Sequence, residues 1–391
     1  VKTTVSLVEC REYEYGQLKQ SIAESFQQLG GIGRYIAAED KVLLKMNLLM
    51  KKRPEEATTT HPLFVKALAE TLLEYGADVI IGDSPGGPFN EKMLKGIYKY
   101  CGITNVVEEL AEAQGYGTRI QLNYNTNHMN VDNPDGLLLK HLTVTEMLLD
   151  VDKVISVSKL KTHGMTMFTG AVKNMFGIIP GMLKAEYHFK MPELDDFCNA
   201  LVDICAYGNP VLSFMDGIVG MEGAGPSAGN PRNIGAVIAS TSPYHLDVVA
   251  SSLINLNPLD VPTIKLSSLR GLCTGTLTDI DVQGKSIEHF LIKDFDIPPI
   301  RQVTLFMKNT PKFLQPILNS MLQPKPIFDH SMCVGCNVCA EHCPADVISM
   351  VDKRPIVDLN PCIRCFCCQE LCPKKAVTIH RPWLMRKIAK W

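Results

Sequence analysis

With 391 residues, 46% hydrophobic and 20% charged, the chain exceeds what one small core organises, so two or more domains are expected. Its 39 Lys and Arg nearly balance 41 Asp and Glu, leaving a net charge of -2, which gives no broad electrostatic reason to expect nucleic acid as a partner. Residues Val1 to Cys10 lack the charged-then-apolar pattern of a secretory leader, and no apolar run reaches the ~18 residues of a membrane span. A cytoplasmic protein with no transmembrane segment is therefore expected.

The first periodic segment runs from Tyr15 to Leu29, where Leu18, Ile22, Phe26 and Leu29 recur at helical spacing and Gly30-Gly31 end the pattern. A short apolar run, Val42-Leu43-Leu44, reads as a strand. A helix should then start at Pro62, with Thr60 as its cap, and continue to Tyr75 before a second strand, Val79-Ile80-Ile81. Strand, helix and strand at this spacing form a βαβ unit. Further strands are expected at 154–157, 211–215 and 236–239, alternating with helical stretches. This pattern predicts an α/β fold with an open, largely parallel sheet in the N-terminal region. Pro311, Pro316 and Pro324 interrupt a helical connector. The expected organisation is an α/β domain over 1–297, the connector over 298–326, a small α+β domain over 327–380 and a tail over 381–391.

In open α/β sheets ligands collect at the carboxyl ends of strands. The residues there are polar: Lys45-Met46-Asn47, then Gly82-Asp83-Ser84-Pro85-Gly86-Gly87, then Lys159-Leu160-Lys161-Thr162-His163-Gly164, then Asp216-Gly217 leading to Glu222 and Pro226. These loops are expected to converge on one cleft. Asn47, Asp83, Ser84, Lys159, Lys161 and Glu222 are assigned to substrate binding, and His163 and Lys173 to catalysis. The basic set Lys159, Lys161, His163, Lys173 and Lys184 suits an anionic substrate or a further cofactor, and the glycines near Gly86 and Gly225 either present amides to a phosphate or carboxylate or are turns. Asp216, Glu222 and Asp247 are either hard-cation ligands or caps and surface pairs. His61 is either a proton-transfer group or a residue that caps its helix.

Nine of the fourteen cysteines fall between Cys333 and Cys372, which is metal arithmetic rather than a disulfide framework. The run Cys333, Cys336, Cys339, Cys343-Pro344 repeats as Cys362, Cys365, Cys368, Cys372-Pro373, each ligand displaced by 29 residues. This is the bacterial two-cluster ferredoxin pattern, in which the fourth Cys of each run ligates the other cluster. Two 4Fe-4S clusters follow, one held by Cys333, Cys336, Cys339 and Cys372 and the other by Cys343, Cys362, Cys365 and Cys368. Structural zinc would use four ligands in two pairs rather than two interlocked sets. Apolar residues after each run, Val347-Ile348 and Val377-Thr378-Ile379, should form short strands that shield the clusters from water. Cys367 has no place in the pattern and reads as a spare thiol. The tail Arg381 to Trp391 carries both tryptophans, Trp383 and Trp391, and four basic residues; it either docks a membrane surface or an acidic redox partner, or folds back on the cysteine module.

The ordered set Lys45-Met46-Asn47, Thr60-His61-Pro62, Gly82 to Gly86, Lys159 to Gly164, Lys173-Asn174 and Glu222 to Pro226 resembles domain-of-unknown-function family 362, often joined to a C-terminal ferredoxin module. More distantly, Lys173 with His61, His163 and His188 is similar to the arrangement in lactate-racemase-like proteins. That resemblance implies Lys173 as attachment point of a nickel-pincer nucleotide, His188 as a metal ligand in the substrate site, and His61 and His163 as proton-transfer groups.

Three functional readings follow. In the first, an iron–sulfur oxidoreductase relays electrons to a small anionic substrate or cofactor in the N-terminal cleft, with tethering fixing the donor–acceptor geometry. In the second, a stand-alone electron-transfer protein uses its N-terminal part to dock a redox partner protein. In the third, the chain is a nickel-pincer isomerase. Because oxygen degrades accessible clusters, an anaerobic or strongly reducing setting is expected.

Overall fold

The structure is a computed structural model that describes residues 2–298 and 323–382. Most of the expected connector and tail lie outside the described residues. The N-terminal region is built on strands β1 (Thr3–Glu9), β2 (Lys41–Lys45), β3 (Asp78–Gly82), β4 (Ile120–Leu122), β5 (His128–Asp132), β6 (His141–Thr145), β7 (Lys153–His163), β8 (Met167–Thr169), β9 (Leu212–Glu222), β10 (Asn230–Ser240) and β11 (Ile280–Gly284). Nine of them form one sheet in the order β11-β1-β10-β9-β7-β2-β3-β4, with β8 paired to β7; β5 and β6 form a separate hairpin. The run β9-β7-β2-β3-β4 is parallel, while β10 is antiparallel to both neighbours. The fold is therefore α/β with a mostly parallel main sheet.

Strand β2 shows why the sheet is central. Val42, Leu43 and Leu44 are all fully buried, which requires both faces of the strand to be covered. Val42 and Leu44 pack with Leu18 and Ile22 of the helix Tyr15–Gln28 and with Phe64 and Leu68 of the helix Pro62–Tyr75. Leu43 points the other way, into a core with Phe197 and Leu201 of the helix Leu194–Gly208. The period of two along the strand thus separates two cores.

Three local expectations are corrected. The charged stretch after Val157 is not a loop: β7 is 11 residues long and runs through His163, because its far end gains partners from β9 on one side and β8 on the other. Strand β9 likewise extends to Glu222. Thr60 does not cap the helix at Pro62. Its Oγ1 donates to the Val157 carbonyl at 2.9 Å, and the cap is His61, whose Nδ1 accepts from the Leu63 N–H at 3.2 Å.

The chain order crosses over between β2 and β7. From β2 the sheet grows outward through β3 and β4, and the chain then returns to add β7 and β9 on the other side. That reversal is where open α/β sheets form a crevice at their carboxyl edge. The C-terminal region consists of two antiparallel strand pairs, β12 (Lys325–Phe328) with β15 (Val377–His380) and β13 (Ile348–Val351) with β14 (Arg354–Val357), plus the short helices Val338–Glu341 and Cys367–Glu370. Among the described residues no helix is long and apolar enough to cross a membrane.

Candidate functional site

The eight patterned cysteines separate into two sets in space. Cys333, Cys336, Cys339 and Cys372 line one small hollow with Phe328, Val338 and Val377. Cys343, Cys362, Cys365 and Cys368 line another with Val347, Ile348 and Phe366. Each hollow thus draws three cysteines from one run and the fourth from the other, and its apolar lining suits a cluster that must be kept from water. Backbone N–H groups of Gly335 and Ala376 point at Cys333 Sγ and Cys372 Sγ, at 3.5 and 3.2 Å. No three His, Cys, Asp or Glu side chains among the described residues gather tightly enough for a single metal ion. The two four-thiol sets are the donors that two iron–sulfur cubanes require, and such clusters when bound supply one-electron redox steps.

A second, larger cavity opens at the carboxyl edge of β3, β2 and β7, at the topological reversal. It has a volume of about 100 Å³ and is lined by Lys45, the last residue of β2, Asn47 just after it, Asp83 and Ser84 after β3, Lys161 of β7, Thr169 of β8 and Lys173 of the short helix Ala171–Asn174. The helix Leu183–Lys190 adds Lys184 and His188, which are four residues apart and so share one helix face. The cysteine module adds His342, Cys367, Glu370 and Leu371 to the wall.

Local packing explains these placements. Lys161 and Thr169 stand directly opposite each other across the β7–β8 pairing. Asn174 ties the Lys173 helix to the sheet, donating to the Lys45 carbonyl and Ser156 Oγ at 3.1 and 3.0 Å and accepting from Asn47 Nδ2 at 3.2 Å. The His188 ring is stacked on Phe197 with centroids 4.2 Å apart. A Cβ on Gly177 would overlap Asp83 Oδ1 and Lys45 Nζ, so any larger residue there would displace the Lys45–Asp83 pair.

The cavity is strongly basic. Lys45 is paired with Asp83 at 2.8 Å. Lys161 donates to Asn47 Oδ1 and the Thr58 carbonyl, both at 2.7 Å, and Lys184 donates to Ser84 and Pro85 oxygens. Burial followed by repulsion from Lys173 pulls Lys161 down to about 7, and burial with repulsion from Lys45 and Lys173 outweighs attraction to Asp83 and brings Lys184 to about 7. Burial pushes the Glu370 carboxyl up, but His163, Lys173 and His188 hold it down at about 2. His163 and His188 are both depressed to about 4, chiefly by burial, so both are neutral at pH 7. His163 Nδ1 accepts from the Met165 and Thr166 N–H groups at 3.0 and 3.3 Å, which leaves the proton on Nε2. That Nε2 lies 2.8 Å from Glu370 Oε1 without hydrogen-bond alignment.

Of the residues assigned to the cleft from sequence, Asn47, Asp83, Ser84, Lys161, Lys173 and His188 line this cavity. His163 stands behind it, reaching it through Glu370. Three others lie elsewhere. Lys159 forms a buried pair with Asp216 at 2.8 Å and donates to the Tyr13 hydroxyl at 2.7 Å. His61 stacks on Tyr13 with centroids 3.6 Å apart, and its N–H donates to Asp216 Oδ2. Glu222 sits beside Arg232 at 3.7 Å and accepts from the Asp296 N–H. Asp247 accepts from the Ala171 and Val172 N–H groups, the capping role.

The loop after Glu222 docks the cysteine module instead of facing the cavity with glycine amides. The Ala224 carbonyl accepts from Gln369 Nε2 at 2.9 Å, and Ser227 Oγ donates to the Glu370 carbonyl at 2.7 Å. Glu370, Leu371 and His342 escaped the sequence reading because they sit among cluster ligands. Cys367 was visible only as a cysteine the repeat did not use.

These features define an iron–sulfur protein whose ferredoxin-like module walls a basic cavity in an α/β domain. The family described as domain of unknown function (DUF362) matches residues 42–252, and a 4Fe-4S dicluster domain matches residues 325–373. The chain belongs to the DUF362 family. It is 33% identical over 276 residues to a thylakoid-associated protein of Synechocystis sp., covering 69% of this chain and 80% of that one. Among solved structures it is similar to the lactate racemase apoprotein from Thermoanaerobacterium thermosaccharolyticum, with 13% identity over 63% of this chain and a TM-score of 0.38. A Thermotoga maritima protein gives 14% identity over 60% of this chain and a TM-score of 0.32. The chain spans 56% and 57% of the lengths of those two structures.

Proposed function

We propose that this protein is a reductase-like iron–sulfur protein in which electrons reach a small anionic ligand held in the cavity between the α/β domain and the ferredoxin-like module. One observation carries the reading. Cys367, Glu370 and Leu371 wall the cavity, and the short helix Cys367–Glu370 to which the first two belong also contains Cys368 of the second cysteine set. An electron-transfer site and a ligand cavity thus share a helix, so tethering and docking fix their geometry. The external donor, a redox partner protein, is oxidised one electron at a time, and the cavity ligand is the species reduced. Lys173 and Lys184 would hold its negative charge, and neutral His188 would donate a hydrogen bond to it.

A stand-alone carrier has no use for a lysine-lined cavity beside its second cysteine set, which favours the reductase reading. The isomerase reading needs His61, His163, Lys173 and His188 around one ligand, whereas only Lys173 and His188 line the cavity.

The test is reoxidation of anaerobically purified, cluster-loaded protein after chemical reduction. Small-molecule fractions from cells should restore the oxidised visible spectrum, and Lys173→Met should slow that reoxidation at least tenfold with the cluster spectrum unchanged. Reoxidation by partner proteins alone, equal in wild type and variant, would sink the proposal.

A further inference from the structure

Four lysines line the cavity, Lys45, Lys161, Lys173 and Lys184, against two carboxylates, Asp83 and Glu370. Lys45 is neutralised by Asp83. Among the described residues the other three lysines have no carboxylate at ion-pair distance: Lys161 and Lys184 are tied to neutral oxygens, and Lys173 makes no hydrogen bond, its ammonium standing 5.9 Å from the Phe176 ring centroid. Holding two uncompensated positive charges in a desolvated cavity is costly.

The same wall carries polar atoms without partners. Thr169 is 3% exposed and His188 5% exposed, and among the described residues neither Thr169 Oγ1 nor His188 Nδ1 has a hydrogen-bond partner. Buried polar atoms are rarely left unpaired. Thr169 Oγ1 and neutral His188 can each donate or accept, whereas the Lys173 ammonium can only donate, so one oxygen-bearing acceptor is the ligand that would satisfy all three.

We infer that the cavity binds a dianionic oxyanion, of the phosphate or short dicarboxylate class, against Lys173, Thr169 and His188, with Lys161 and Lys184 supplying the rest of the compensating charge. Two negative charges match the excess of lysines over carboxylates. The inference deepens the proposed function by naming the class of its ligand, yet the binding itself needs no electron transfer.

Titration calorimetry of oxidised, cluster-loaded protein at pH 7.5, where inorganic phosphate is mainly the dianion, tests it with phosphate, succinate and the monoanion acetate. At least one dianion should bind ten times or more tightly than acetate. Preference for phosphate would assign the ligand to phosphoryl compounds, and preference for succinate to dicarboxylates. Lys173→Met should weaken that binding about tenfold, Lys173→Arg should restore most of it, and Thr169→Val should weaken it three- to tenfold. Equal binding of acetate and both dianions, no binding of either dianion, or unchanged affinity in Lys173→Met would overturn the inference. Dianion binding without reoxidation of the reduced protein would refute the reductase reading alone. Reoxidation by a neutral or monoanionic compound, without dianion binding, would refute this inference alone.

Discussion

Replacing Lys159 by methionine separates a structural lysine from a ligand-binding one. Lys159 and Asp216 are fully buried and 2.8 Å apart, and burial holds the Lys159 ammonium below its usual range despite the attraction of Asp216. Methionine keeps most of the volume but strands the Asp216 carboxylate, whose remaining donors among the described residues are the Tyr13 hydroxyl at 2.8 Å, the His61 backbone N–H at 3.0 Å and the Ile218 N–H at 3.3 Å. Breaking one side of a buried pair costs about 3–5 kcal/mol. At roughly 2–4 °C per kcal/mol for domains of this size, the melting temperature should fall by about 10 °C. Urea unfolding of Lys159→Met, Asp216→Asn and the double variant measures the coupling, and the double variant should recover at least half of the single loss. Below the new melting temperature, dianion affinity should stay within twofold of wild type. A stability change under about 1 kcal/mol, or a tenfold loss of affinity in a protein of unchanged stability, would refute the structural role.

Cys367→Ala should leave iron content and the spectra of both clusters intact, whereas Cys368→Ala should remove one cluster; iron analysis and electron paramagnetic resonance distinguish them, and loss of a cluster in Cys367→Ala would contradict the assignment. Affinity for succinate, whose charge is constant above pH 6.5, should fall as pH rises, because Lys161 and Lys184 titrate near 7 in the free cavity and must be protonated to attract the anion. The decline approaches about tenfold per pH unit for each lysine that has to regain its proton, and a flat profile from pH 6.5 to 9 would exclude it. Leu44→Ala, in a fully buried β2 position, should cost about 2–5 kcal/mol in chemical unfolding without changing cluster loading. Gly225→Ala places a Cβ against the Thr162 carbonyl; hydrogen exchange should show it loosening the 224–227 contacts with the cysteine module, and unchanged protection there would count against that loop as the docking element.

Periodic and repeated features were legible in the chain because they are local. Helical spacing around Leu18 and Ile22, the apolar run at Val42 and the 29-residue cysteine repeat each depend on a few neighbouring residues, and strand chemistry or cluster geometry leaves them few alternatives. The cleft was legible only as a set of polar strand ends. Lys159 and Lys161 look equivalent in sequence, two residues apart in one basic run. The tertiary structure separates them through the irregular β7–β9 pairing, where Lys159 opposite Asp216 gives way to Lys161 opposite Met221. One lysine is thereby committed to a buried ion pair and the other to the cavity. His61 likewise became a cap because Asp216 and Tyr13, both remote in sequence, hold it in place.

By itself, then, the sequence determined the α/β class, the two interlocked cysteine sets and the basic character of the strand ends, since each follows from spacing and side-chain type. Only the tertiary structure decided that the cysteine module forms a wall of the cavity, that Glu370 and Cys367 belong to it, and which lysines are left without a carboxylate. Those outcomes depend on which distant segments meet, and ion pairing and desolvation are properties of the meeting rather than of either segment.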